Sequence, residues 1–420
     1  MNEIRLFMSQ PRNTRILLLT TLLYSFVLPV IDIFVAAYIM RNSSDVGRVV
    51  AYQLMVYSGI PVTFLINGFL LKVVKPNILY AFGMLLSGIS MLVMTSLPTL
   101  DFLGIAVAGF IMGLSFGFFW ANRDFLVLIC TTDSNRNYYY GLETFFNTVT
   151  LVIVPVCIGW FIEKSESLRW VDSVNEAYHY VIYCVIAITV IASFIINRGA
   201  YQVTGNSRFV YFRNDPLWNR MLVVAACKGM VQGFIVTAPA MLIMKFVGEE
   251  GALGTMQSIS ALVTAILMYF MGKLTKPSDR TKIYFVSTLL FFAGSMIDSV
   301  FMNATAVIIF LLMMIVARPM FDLAYFPIQM QVIDYLKAKE NRSGYSYIFS
   351  HECGLYGGRL FGCGLFIVIT YTISETAALI YTLPIVTFIQ MMSLIMVRRI
   401  TGKIASEDVI QNNTITNEAV

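Results

Sequence analysis

"NRGAYQVTGNSRFVYFRNDP", residues 197–216, is the stretch on which the fold turns. It is a polar interval between two long apolar runs of chain. A helix that crosses a bilayer needs about 20 mostly apolar residues, more if it is tilted. The run before the interval divides into six segments of that kind: 15–40, 49–71, 78–97, 103–130, 140–162 and 177–196. The run after it divides into six more: 217–245, 252–271, 283–302, 305–333, 344–372 and 376–397. The reading is an all-α polytopic membrane protein with 12 transmembrane helices in two pseudo-symmetric six-helix bundles. The bundles are expected over 1–196 and 217–398, with a linker over 197–216 and a polar tail over 399–420.

Composition points the same way. Of the 420 residues, 58% are hydrophobic and only 13% charged, where a soluble domain carries about a quarter charged. The net charge of +5 sits in short loops between apolar segments and forms no basic stripe, which excludes nucleic acid as a partner. Lys and Arg of short loops mark the cytoplasmic side. Counted that way, only Arg41, Arg48, Lys164, Arg169 and Lys245 face outward, and four basic residues lie within spans. The remainder fall inside, so both termini are expected to be cytoplasmic, in an inner or plasma membrane. The first apolar run begins after Arg12 and Arg15 and is too long for a signal-peptide core, so it reads as a retained span. The six cysteines lie in or beside apolar segments without C-x-x-C spacing, so neither a disulfide framework nor a zinc site is expected. No cofactor is expected.

The two halves carry traces of a repeat. Gly68-x-Leu70-x-Lys72 returns 204 residues later as Gly272-x-Leu274-x-Lys276, and Gln53 falls on Gln257 at the same offset. Asn135-Arg136 returns as Asn341-Arg342, and "NTRIL" at 13–17 is echoed by "NRML" at 219–222. Twelve spans, a central linker and two related halves resemble the major facilitator superfamily (MFS). The loop after its second span keeps Gly68 and Leu70 of that family's signature but has Lys72 where an aspartate belongs and Lys75 at the second glycine. The span-five signature of the family's antiporters survives as Pro155 and Gly159 in "VPVCIG". The resemblance implies a cavity lined by spans 1, 2, 4, 5, 7, 8, 10 and 11, and transport by alternating access.

Charges inside the spans fit that plan. Asp32, Arg123, Asp124, Glu143, Lys228, Arg318, Asp322, Glu352 and Arg359 lie in spans one, four, five, seven, ten and eleven. Facing lipid they would cost on the order of 25 kcal/mol together, so they are expected to face a polar interior and neutralise one another. Asp298 in span nine is the exception and reads as reaching headgroups at the outer end. Arg318, Asp322, Tyr325 and Gln329 form one helical face, as do Glu352, Tyr356, Arg359 and Cys363. In span seven Lys228 and Gln232 share a face.

These residues divide into three groups by chemistry. Lys228, Arg318, Arg359, Gln53, Gln257, Tyr325, Tyr356 and Trp120 are candidate solute-binding residues. Asp32, Asp322 and Glu352 are candidate proton-coupling carboxylates, because an acid paired to a cation stays ionised and loses that preference when the cation moves away. Arg123, Asp124 and Glu143 read as a gating ion pair. Plainer roles compete: Arg318 with Asp322 as an intrahelical pair, Glu143 as a solvated span end, and His351 as a packing histidine. The absence of a G-x-x-x-x-G-K-[ST] loop in the sequence leaves an ion gradient as the energy source. The expected function is proton-coupled symport of a small polar organic solute such as a sugar or organic acid, by a monomer in the lipid bilayer, using protons or another ion. Two rivals stand beside it: drug or metabolite efflux by proton antiport, and a non-transporting membrane sensor. An enzyme is not expected, since no metal cluster appears and the G-x-S-x-G match at Gly113–Gly117 lies inside an apolar span, not at a strand-to-helix elbow.

Overall fold

The computed structural model describes residues 3–404, apart from 98, 132, 203–209, 212, 237, 247–249, 275–276, 341 and 343. Most of the expected polar tail, part of the linker and Asn341 of the repeat therefore lie outside the described residues. The helices in chain order are α1 (Glu3–Ser9), α2 (Arg12–Ser25), α3 (Val35–Ser43), α4 (Val46–Leu70), α5 (Pro76–Thr95), α6 (Phe102–Cys130), α7 (Asp133–Ser167) and α8 (Val174–Ile196). They continue as α9 (Pro216–Ile235), α10 (Ala238–Phe246), α11 (Glu250–Leu274), α12 (Arg280–Phe301), α13 (Ala304–Glu340), α14 (Gly344–Thr372) and α15 (Glu375–Met392). Among the described residues, 10 helical stretches are long and apolar enough to cross a membrane. The expected spans seven and eight correspond to α9 with α10, and to α11.

Two of the expected spans are not continuous α-helix. Span one passes through a π-helical segment, Val30–Phe34, between α2 and α3. It follows Pro29, whose missing N–H removes one i→i−4 bond and loosens the turn. Span seven stops at Ile235 and resumes at Ala238. The cause is Pro239, whose ring would collide with the carbonyl of residue 235 in an unbroken helix.

The chain forms two compact units: residues 1–206 with 235–262, and residues 207–234 with 263–420. The boundaries fall at the break in span seven and within α11, so α10 and the first half of α11 belong with the first unit. In that unit α4 and α5 both pack along α6, and α8 packs on α2 and α5. The α4–α6 contact is close because Gly109, Gly113 and Gly117 recur every fourth residue along one face of α6. A Cβ at Gly113 would fall on the carbonyl oxygen of Val56. The unit's interior is aromatic: Tyr24 lies 4.2 Å and Tyr80 5.1 Å from Phe119, measured between ring centroids.

In the second unit α12 packs on α13 and α15, and α14 on α15. Tyr284 on α12 hydrogen-bonds Ser393 at 2.6 Å, and Ser295 on α12 bonds Thr387 on α15 at 2.9 Å. Asp215 opens α9 by accepting the Leu217 N–H at 2.7 Å, and accepts from Lys339 at the end of α13 at 2.9 Å. Partial burial opposes ionisation of Asp215, but these two hydrogen bonds outweigh it and hold the carboxyl below its usual range.

Two outcomes follow. Gly113→Val, which drives a side chain into the α4 backbone, lowers stability by about 1–3 kcal/mol, measured as a loss of thermal stability in detergent. The depressed carboxyl of Asp215 contributes stability that is full above the unfolded Asp value of about 3.9 and is lost as pH falls through the lower folded value. Asp215→Asn therefore removes a stability increment at neutral pH, and the difference from wild type disappears in acid thermal-unfolding scans.

Candidate functional site

In the first unit the stretch "FWANRDFL", residues 119–126, alternates buried and reactive positions along α6. Asn122 is fully buried and donates to Asn67 on α4 at 2.6 Å, which fixes the rotation of the helix. That rotation turns Arg123 toward α7, where Nε meets Glu143 Oε1 at 2.9 Å and Nη2 meets Oε2. Nη1 donates to Asp124 at 2.5 Å. Glu143 is 3% exposed, so it is a buried charge and not a solvated span end. Asp124 is 64% exposed. Trp120 lies on the same face one turn back, its ring 5.9 Å from the Arg123 guanidinium and partly exposed.

The second unit holds a denser constellation on α9, α13 and α14. Small residues set these helices close: a Cβ at Gly358 on α14 would fall on the carbonyl oxygen of Ala226 on α9. Lys228, nearly buried on α9, donates to Asp322 Oδ1 on α13 at 2.9 Å. One turn further along α9, Gln232 Oε1 accepts from Arg359 Nε at 3.3 Å and Nη2 at 3.0 Å. Arg359 Nη1 donates to Glu352 at 2.5 Å on the same helix, two turns back. Tyr325 is buried, stacks on Phe321 at 5.5 Å, and shares a 2.6 Å hydrogen bond between its hydroxyl and His351 Nε2. Two cation–carboxylate pairs and a tyrosine–histidine pair thus converge on three helices.

Other candidates stand apart. The alternative pairing of Arg318 with Asp322 is replaced: Asp322 is held by Lys228, and Arg318 is exposed on α13. Asp32 lies exposed in the π-helical segment while its neighbours Val30, Ile31, Ile33 and Phe34 are buried. Gln53 on α4, Gln257 on α11 and Tyr356 on α14 are half-buried. Asp298 does not reach headgroups; it is 1% exposed and neither carboxylate oxygen has a hydrogen-bond partner. Sequence reasoning placed Arg41 in an outer loop and passed over Glu250. The structure joins them: Arg41 Nη2 donates to Glu250 Oε2 at 2.6 Å, and Tyr178 donates to Oε1 at 3.4 Å. Glu250 is fully buried. No periodicity links residues 209 apart, so only the folded chain shows this pair.

Long apolar helices with paired charges buried among them define a polytopic membrane protein. Residues 16–358 match the Major Facilitator Superfamily. The chain belongs to that family, and it is a transporter and not an enzyme. It is 21% identical to the uncharacterized protein YqgE of Bacillus subtilis (strain 168), over 89% of this chain and 86% of that one. Among solved structures, it superposes on a bacterial homologue of the iron transporter ferroportin in its inward-facing state with a TM-score of 0.67 at 13% identity, covering 94% of this chain and 99% of that one. The nucleoside transporter NupG gives a TM-score of 0.67 at 12% identity, covering 93% and 99%.

The buried pair in the first unit is asymmetric in cost. Arg123→Gln leaves Glu143 buried without its cation and lowers stability by about 3–5 kcal/mol. Asp124→Asn, at an exposed carboxylate, costs under about 1 kcal/mol. Thermal unfolding of the two purified variants separates them.

Proposed function

We propose that the protein is a secondary active transporter that carries a small polar organic solute across the cytoplasmic membrane by proton-coupled symport, working as a monomer with both termini cytoplasmic. The observation that carries this reading is the convergence of Lys228–Asp322 and Arg359–Glu352 on three helices of the second unit. Each cation is held by a carboxylate inside an apolar bundle. A solute anion that takes Arg359 away leaves Glu352 without its partner, and a proton from the adjoining water then neutralises it. Return of Arg359 after solute release expels the proton on the other side. Asp322 obeys the same logic with Lys228, and Asp32 supplies a third carboxylate, in the first unit. The Arg123–Glu143 pair, with Asp124 beside it, serves as a gate latch on this reading.

Metal transporters are among the proteins of similar fold. Among the described residues, however, no three His, Cys, Asp or Glu side chains gather as a metal-binding group, whereas the cation–carboxylate pairs do gather. That contrast favours an organic solute.

Uptake into proteoliposomes with an alkaline interior tests the coupling. Glu352→Gln is expected to abolish gradient-driven accumulation, leaving exchange of solute down its own gradient. Accumulation in wild type that ignores the pH gradient would refute proton coupling. Extrusion of lipophilic dyes, with no uptake of polar solutes, would replace symport by efflux.

A further inference from the structure

The Lys228 ammonium sits in an unusual setting. Its Nζ lies 4.1 Å from the centroid of the Tyr325 ring, 4.0 Å from that of Phe326 and 5.6 Å from that of Phe321. Asp322 Oδ1 completes the shell at 2.9 Å. Aromatic faces and one carboxylate are the groups that recognise an organic ammonium, through the ring quadrupole and a single counter-charge. All four come from one stretch of α13, residues 321–326. The cage is preorganised: Tyr325 is stacked on Phe321 at 19° and set edge-on to Phe326 at 81°. His351 holds the Tyr325 hydroxyl.

The cage is also open. Asp322 is 34% exposed and Phe326 is exposed, so an external group can reach them while Lys228 enters from α9 on a flexible stem. A cationic occupant fits it. A neutral or anionic group in place of Nζ would leave the Asp322 carboxylate facing three aromatic rings without a counter-charge unless a proton neutralised it.

One helical turn from Lys228, Gln232 orients Arg359, placing a guanidinium fork suited to a carboxylate beside the cage. We infer that the cage receives the ammonium group of a small zwitterionic solute, that Arg359 takes the solute's carboxylate, and that Lys228 is a tethered stand-in for the ammonium in the empty site. The solute's carboxylate releases Glu352 from Arg359 to take up its proton, and the displaced Lys228 swings on its flexible stem toward the water that admits the solute. This rests on the transport reading above, whose solute it narrows to zwitterions, but binding tests it without transport.

The test is thermal unfolding of purified protein with glycine betaine, choline, sodium acetate or glucose at matched ionic strength. Betaine is expected to raise the unfolding temperature of wild type, with choline weaker. Arg359→Lys should weaken betaine binding at least tenfold and leave choline binding unchanged. Lys228→Met, which vacates the cage, should become stabilised by ethylammonium chloride relative to sodium chloride. That response should vanish when Asp322→Asn is added.

Stabilisation of wild type by acetate or glucose, with no response to betaine or choline, would overturn the proposal. So would a folded Lys228→Met protein, monodisperse by size exclusion, that ignores ethylammonium. If Lys228→Met does not fold, wild type and Arg359→Lys decide the matter, and equal betaine affinity in both counts against it. Gradient-driven uptake of a sugar or a simple acid would sink the zwitterion site while leaving proton-coupled transport standing.

Discussion

A charged side chain in an apolar helix bundle is stabilised by a counter-charge, and the buried ion pairs of this structure answer to that requirement. An unpaired charge at mid-bilayer costs about 2.5–3.5 kcal/mol on the insertion scale. Removing one partner of a buried pair costs about 3–5 kcal/mol. Arg123 is therefore tied to Glu143, Lys228 to Asp322, and Arg41 to Glu250. Each of these links joins two helices. The exception is Arg359 with Glu352, which share α14, and there Gln232 from α9 supplies the cross-helix contact.

Such pairing needs helices close enough for short reach, and glycine provides the proximity. Gly113 lets α4 and α6 touch backbone to backbone, while Gly358 does the same for α9 and α14. The second contact sets Lys228 and Gln232 opposite the helix that carries Arg359. Packing and chemistry are thus one arrangement: a bulkier residue at Gly358 would separate Gln232 from the guanidinium it orients. The proline break after α9 has a related effect. It ends the helix three residues beyond Gln232, so Lys228 and Gln232 share one face in the last two turns of α9.

On the proposed transport reading, exchange of partners gives these pairs their use. In the Arg41–Glu250 pair the carboxylate is fully enclosed and the cation is the more exposed partner. Asp322 and, to a lesser extent, Glu352 retain exposure while their cations are nearly covered. An incoming group therefore meets the carboxylate side first. This is the geometry expected of a site where solute, proton and internal cation compete for the same few oxygens.

The sequence alone determined the class of the molecule. Apolar segments of bilayer length, the polar interval at 197–216 and the sparse charges specify a helical membrane protein, because composition and length are local properties. The helical spacing of Arg318, Asp322 and Tyr325, and of Glu352 and Arg359, placed the reactive residues on faces for the same reason. Partner choice was beyond its reach. Spacing on α13 offered Arg318 to Asp322, yet Lys228, 94 residues away, is the residue that binds it. Likewise Asp298 looked like an end-of-span acid but is enclosed, and Glu250 drew no notice before Arg41 was found against it. Pairing between distant helices depends on their rotation and separation, which are set by close backbone contacts such as those at Gly113 and Gly358, and only the tertiary structure decides them.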